Sequence, residues 1–202
     1  MTEERKITPD RTAGDAELIR AFINGDRTAF DSLVIAHRDR VFNLCYRLLG
    51  DYQEANDSAQ ETFLKAYRSI HRFRFEAAFS TWLYRIALNT CKNRLKSLEY
   101  RHKKRMVSIQ NPGRTGNDAT FSEIRDNGNS PGNQVERKEK MRRVQEAVNA
   151  LPQDQKTVVT LRDIQGFSYD EIADMTGLNL GTVKSKLSRA RFALREKLRG
   201  FV

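Results

Sequence analysis

The sequence predicts an all-α protein: two small helical domains joined by a flexible linker, the C-terminal one containing a helix-turn-helix. Three observations carry this. Apolar residues recur at three- and four-residue spacing almost everywhere outside one stretch, and convincing strand alternation is absent. That stretch, 99–134, is rich in Gly, Asn, Pro and charge and too poor in apolar residues to build a core of its own. Finally, residues 168–191 read SYDEIADMTGLNLGTVKSKLSRAR: a capped short helix, a glycine turn and a second, basic helix. The expected layout is a flexible tail over 1–14, a first domain over 15–98, the linker over 99–134 and a second domain over 135–202.

Each element has its own signal. A first helix spans 15–24 and stops at Gly25. A second spans 28–49, with Phe30, Leu33, Val34, Val41, Leu44 and Leu48 on one side, and ends at Gly50. A third, 53–70, lines up Ala55, Ala59, Phe63, Ala66 and Ile70. The short aromatic and basic loop 71–78 leads to a fourth helix, 79–98, which buries Trp82, Leu83, Ile86, Ala87 and Leu95. Helices resume over 135–150 and then 153–163, the latter after Pro152, a helix-start residue. Ser168 is the N-cap of the next helix, and Glu171 three residues on closes the capping box. Gly177 makes the turn, and the last helix opens near Asn179.

Composition narrows the function. The formal net charge is +10, with +3 in residues 1–98, +5 in 135–202 and +2 between them, so a polyanionic partner suits both domains. No run of about 18 apolar residues exists to cross a bilayer, and the opening MTEERKITPDRTAGD lacks an apolar signal core. A cytoplasmic protein is expected. Cys45 and Cys91 fall on apolar helical faces without metal-ligand spacing and read as buried free thiols. His37, His71 and His102 are scattered, with no nucleophile, phosphate loop or ligand cluster beside them, so no enzyme site, metal or cofactor is expected.

Three constellations can bind. On the last helix Val183, Leu187, Ala190, Leu194 and Leu198 form the inward stripe, and a polar, basic stripe faces away from it. Lys184, Ser185, Ser188 and Arg189 are expected at base edges, and Thr182, Arg191 and Arg195 at phosphates. In the loop, Arg72 and Arg74 alternate with Phe73 and Phe75, a pattern suited to unpaired bases. Arg85, Asn89 and Lys92 share a polar face of the helix that follows, whereas Phe79 and Trp82 read as core. The third helix carries Glu54, Asp57, Ser58, Glu61 and Lys65 on one face, which spacing alone reads as solvated surface or a protein-docking face. A stand-alone repressor or activator and a protein-binding adaptor are the competing readings. The first needs a dimer face, and no heptad or dimerisation stripe is evident, so no stable homo-oligomer is expected.

The segments AFDSLVIAHRDRVFNLCYRLLGD, QEANDSAQETFLKAYRSIHRF, FSTWLYRIALNTCKNRL and ALPQDQKTVVTLRDIQGFSYDEIADMTGLNLGTVKSKLSRAR occur in this order. Together they resemble bacterial sigma factors of the extracytoplasmic-function group in the sigma-70 family, over nearly all of residues 15–200. The resemblance implies a transcription initiation factor that acts with core RNA polymerase and promoter DNA. It implies that Asp57, Gln60, Glu61 and Phe63 face the clamp helices of the largest polymerase subunit, with the flap of the second largest subunit as a further contact. It further implies that Arg72, Phe73, Arg74, Phe75, Arg85, Asn89 and Lys92 recognise and open the −10 element, that 135–202 reads the −35 element as duplex, and that an anti-sigma factor wedged between the two domains regulates the chain. Ser58–Ala59 departs from the family pattern, standing where many relatives carry a bulkier aliphatic pair.

Overall fold

A computed structural model describes the backbone of residues 10–108 and 131–199 and the side chains of 14–100 and 139–199. Most of the expected N-terminal tail, the middle of the expected linker and residues 200–202 lie outside the described residues. The described residues form helices α1 (Asp10–Ile23), α2 (Thr28–Leu49), α3 (Tyr52–Ser69) and α4 (Phe79–Ser108), then α5 (Pro131–Asn149), α6 (Gln153–Val159), α7 (Tyr169–Thr176) and α8 (Leu180–Lys197). A single 3-10 turn, Ile70–Arg72, precedes the aromatic loop. A π turn, Thr160–Ile164, extends α6.

The first four helices pack around Leu33, Val41, Leu44, Leu48, Ile70, Leu83 and Ala87, all buried. Ala55, Ala59 and Ala66 let α3 lie close on α2, since small side chains keep the two backbones near each other. Gly50 ends α2 at φ 76°, its N–H reaching Tyr46 O at 2.9 Å, and the Asp51 side chain accepts from Glu54 N to start α3. His37 Nε2 lies 3.0 Å from Asp15 Oδ2, a buried pair that ties α1 to α2 beneath the Phe79 ring. Cys45 and Cys91 are free and buried, as expected. Their thiols hydrogen-bond across the α2–α4 contact, and this with burial pushes the Cys45 thiol far above its ordinary pKa. Such a thiol is chemically inert.

In the second region α8 packs on α6 and α7 through Val183, Leu187 and Ala190. The capping box forms as expected, with Glu171 N donating to Ser168 Oγ at 3.2 Å and Ser168 N to Glu171 Oε2 at 2.8 Å. Gly177 turns at φ 73°, and Asn179 caps α8 by accepting from Thr182 N at 2.8 Å. Leu187→Ala is expected to destabilise this region by about 2–5 kcal/mol, because the fully enclosed site cannot collapse around the lost atoms. Urea unfolding followed by circular dichroism measures it, and a loss below about 1 kcal/mol would contradict this packing.

Three boundaries differ from expectation. α4 continues past 98 to Ser108, α5 begins at Pro131 rather than 135, and α1 begins at Asp10 rather than 15. Residues 99–108, EYRHKKRMVS, hold no Gly or Pro, and their charged straight-chain residues are good helix formers. Pro131 suits the first position of a helix. The expected flexible stretch 99–134 is therefore helical at both ends. The two regions also touch: α2 and α4 rest on α5, α6, the π turn and α7, and one buried cluster runs through both.

Candidate nucleic-acid interface

On α8, Lys184, Ser185, Ser188, Arg189, Arg191 and Arg195 are exposed and Thr182 is half-buried, opposite the stripe that packs inward. The sequence-derived face is thus assembled on one side of the second helix of a helix-turn-helix. Two of its members are occupied. The Arg191 guanidinium forks onto Asp163 of the π turn, at 3.0 and 2.5 Å, which holds its pKa above the ordinary arginine value. Ser185 Oγ donates back to Thr182 O at 3.0 Å. Tyr169, which the sequence reading did not single out, lies under two cations: the Arg162 guanidinium 4.8 Å and the Lys184 ammonium 5.8 Å from its ring centre. The ring steers Lys184 at the rim of the reading face. No local spacing in the sequence links these three residues.

The aromatic loop splits its predicted residues between core and surface. Phe73 is only 9% exposed and packs on Phe79 and Trp82, with ring centres at 5.8 and 5.5 Å. Arg72, Arg74 and Phe75 are exposed. Phe75 sits at φ 59°, a left-handed backbone that a bulky side chain adopts only under strain. Its ring rests edge-on against Phe73 at 4.9 Å and is covered by the Arg20 guanidinium at 5.4 Å. Phe73 anchors the loop while Phe75 is presented at its tip. Arg20 belongs to α1, too far away in sequence to be associated with the loop. Arg85, Asn89 and Lys92 follow as an exposed stripe on α4, and Phe79 is core as read.

On α3, Gln60 and Glu61 are exposed, Asp57 is half-exposed and Phe63 packs partly against the core. The apolar residue this face does present is Leu64, 58% exposed and missed by the sequence reading. Arg94 of α4 pairs with Glu54 and, at 3.1 Å, with Asp57, while Lys65 bridges Glu61 at 2.7 Å and Thr90 at 3.1 Å. The acidic face is thereby fixed to the helix that carries the Arg85 stripe. Among the described residues no group of His, Cys, Asp or Glu could hold a metal ion, and no helix is long and apolar enough to cross a membrane.

The comparisons with known proteins converge. The Sigma-70 region 2 family matches residues 33–100 and the Sigma-70 region 4 family residues 141–194. The RNA polymerase sigma-H factor of Pseudomonas aeruginosa is 38% identical over 91% of this chain and 93% of its own length. The ECF RNA polymerase sigma factor SigW of Bacillus subtilis is 36% identical over 90% of this chain and 95% of its own. The chain belongs to the extracytoplasmic-function sigma factors of the sigma-70 family. A sigma factor of Bartonella quintana, solved in complex with the anti-sigma factor NepR, shares the fold with a TM-score of 0.64 at 22% identity, covering 84% of this chain and 96% of that one. As an extracytoplasmic-function sigma factor, the protein acts in transcription initiation, is not an enzyme, and binds RNA polymerase as its family does. Region 2 of this sigma factor therefore holds the aromatic loop and the α4 stripe, and region 4 holds the helix-turn-helix.

Proposed function

We propose that this sigma factor chooses promoters through two separate readers, which divide the chain at 15–98 and 135–202. Region 4 reads the −35 element as duplex with Lys184, Ser185, Ser188 and Arg189 at bases and Thr182, Arg195 and a released Arg191 at phosphates. Region 2 takes the −10 element as unpaired strand. Phe75 offers a stacking ring, Arg72 and Arg74 flank it, and Arg85, Asn89 and Lys92 track the backbone along α4. Phe73 positions Phe75 rather than meeting a base. Asp57, Gln60, Glu61 and Leu64, with Phe63 behind them, form the face for the polymerase clamp helices, and region 4 meets the flap. The observation that carries this reading is the run of an exposed, strained aromatic loop into an exposed cationic stripe, in a region apart from the helix-turn-helix. Membership of the extracytoplasmic-function group supports an alternative, cytoplasmic sigma factor for stress or envelope responses. The anti-sigma complex of the Bartonella quintana relative supports control by such a partner.

The test is open-complex formation with core RNA polymerase on a genomic promoter library, read by permanganate. Melting near −10 that requires this chain is expected. Footprints on intact duplex without polymerase, and no melting, would favour the stand-alone repressor instead. Phe75→Gly separates fold from function within this assay. Removing a bulky residue from a left-handed site relieves about 1–2 kcal/mol of strain, offsetting the lost ring contacts, so thermal stability stays nearly unchanged. Melting falls roughly 5- to 100-fold, the equivalent of one lost base stack of ~1–3 kcal/mol. Wild-type melting by this variant would remove Phe75 from the mechanism.

A further inference from the structure

Region 2 and region 4 meet along a seam made by side chains that neither reading face uses. The region 2 side consists of Thr81 and Tyr84, early in α4, and Arg47 on α2. Against them stand Glu171 at the start of α7, Gln165 and Phe167 just after the π turn, and Gln145 on α5. The Tyr84 hydroxyl donates to Gln165 Oε1 at 2.9 Å, and the Tyr84 ring meets Phe167 edge-on at 4.8 Å. Thr81 Oγ1 donates to Glu171 Oε1 at 3.2 Å, and Arg47 Nη1 to Gln145 Oε1 at 2.8 Å. Tyr84, Thr81, Gln145 and Phe167 are all buried.

The seam is not a second hydrophobic core. Apart from the Tyr84–Phe167 ring contact, these are single hydrogen bonds. Arg47 is desolvated against a neutral amide instead of a carboxylate, and burial pulls its guanidinium below its ordinary pKa. Seams of this kind resemble transient interfaces and open more readily than cores. The reading stripes lie outside it: Arg85, Asn89 and Lys92 on α4, and Lys184, Ser188 and Arg189 on α8, remain exposed. What closure fixes is the separation of the stripes. Elements centred near −35 and −10 are about 25 base pairs apart, roughly 85 Å of duplex at 3.4 Å per pair. A compact chain of 202 residues is only roughly 45 Å across. Residues 109–130 between α4 and α5 can extend to at most roughly 75 Å, so the covalent chain permits opening.

We propose that this seam is an intramolecular latch: the closed chain reaches one promoter element at a time, and promoter opening requires the Tyr84–Gln165, Thr81–Glu171 and Arg47–Gln145 contacts to part. The inference rests on the two-reader function above. Closure leaves each reader intact and removes the bivalent advantage, about 10²–10⁴ in effective affinity when two sites are linked.

The test uses the full chain with Arg47→Cys and Gln145→Cys, joined by a short bismaleimide that carries a reducible disulfide. The native Cys45 and Cys91 are buried and do not compete. The free chain is expected to crosslink to itself in high yield. Crosslinked protein added to core polymerase gives at least ~10-fold less permanganate-detected melting, and reduction restores it. Poor crosslinking overturns the latch, because the closed form is then not populated. Undiminished melting by crosslinked protein, with the wild-type chain active, overturns the latch alone. No melting by the wild-type chain marks failure of the two-reader reading, and the latch falls with it. A second variant, Tyr84→Phe with Gln165→Ala, loosens the seam without touching either stripe. Its radius of gyration by X-ray scattering should rise above the roughly 17 Å of a compact chain this long. An unchanged radius assigns the closure to other contacts and refutes the latch as drawn.

Discussion

Replacing Arg85, Asn89 and Lys92 together with alanine is expected to abolish promoter melting while leaving the fold and the polymerase complex intact. All three side chains are exposed on one stripe of α4, and none lies on the seam with region 4. Alanine favours helix, so the substitutions keep α4 or strengthen it slightly. The loss falls on the unpaired strand: hydrogen bonds to charged groups contribute about 1.5–3 kcal/mol each, and three of them exceed the margin that keeps a few base pairs open. Salt dependence gives an independent number. With Arg85 and Lys92 gone, the slope of log affinity against log salt for single-stranded −10 DNA should become shallower by about 1.4, at about 0.7 per phosphate contact. An unchanged slope with unchanged melting would move the −10 contact off α4.

Lys184→Ala with Arg189→Ala should cause the second large loss, this time confined to duplex. Each base-reading contact discriminates by ~1–3 kcal/mol, so the pair together reduces −35 recognition by roughly 30-fold to 10⁴-fold. Stability should move by less than about 0.5 kcal/mol, because both side chains are exposed and only Lys184 has a contact to lose, over the Tyr169 ring. The form of the loss identifies the role. Relaxed preference across a library of −35 sequences means base reading. A uniform drop, with a salt slope lower by about 1.8 at 0.9 per phosphate, means the two residues only grip the backbone. Melting on promoters supplied with a pre-opened −10 bubble should survive this variant and fail in the α4 triple variant.

The helices of this protein were legible because their signals are local. The recurring Leu, Ile and Val positions of α2 and α8, the Gly50 and Gly177 turns, and the Ser168–Glu171 box each depend on residues within a few positions of one another. The exposure of the Arg85 and Lys184 stripes follows from the same periodicity. Contacts between distant residues were not legible. Arg191 binds Asp163, Arg94 binds Glu54 and Asp57, and Arg20 covers Phe75, and no pattern in the chain announces these pairs. The Phe73–Phe75 alternation showed two aromatics alike, yet packing against Trp82 buries one and strain presents the other. Ser58 reads as part of the polar face of α3, but it is buried and its hydroxyl has no hydrogen-bond partner, an odd fit where relatives carry aliphatic side chains. Tyr84 was legible only as a large residue on a helix; its partners in region 4 lie some eighty positions away.

The π turn at Thr160–Ile164 has a consequence for how length changes are tolerated along this chain. Its wider hydrogen-bond ring, seen in Gln165 N to Thr160 O at 3.0 Å, accommodates one residue more than an ordinary helical turn. Deleting one residue there would restore the regular winding, yet everything downstream would emerge about 100° further round the axis. Gln165 and Phe167 would swing away from Tyr84, and Asp163 from Arg191. A single-codon deletion at this point would thus act as a phase error, leaving a helix-turn-helix of correct internal sequence aimed in the wrong direction.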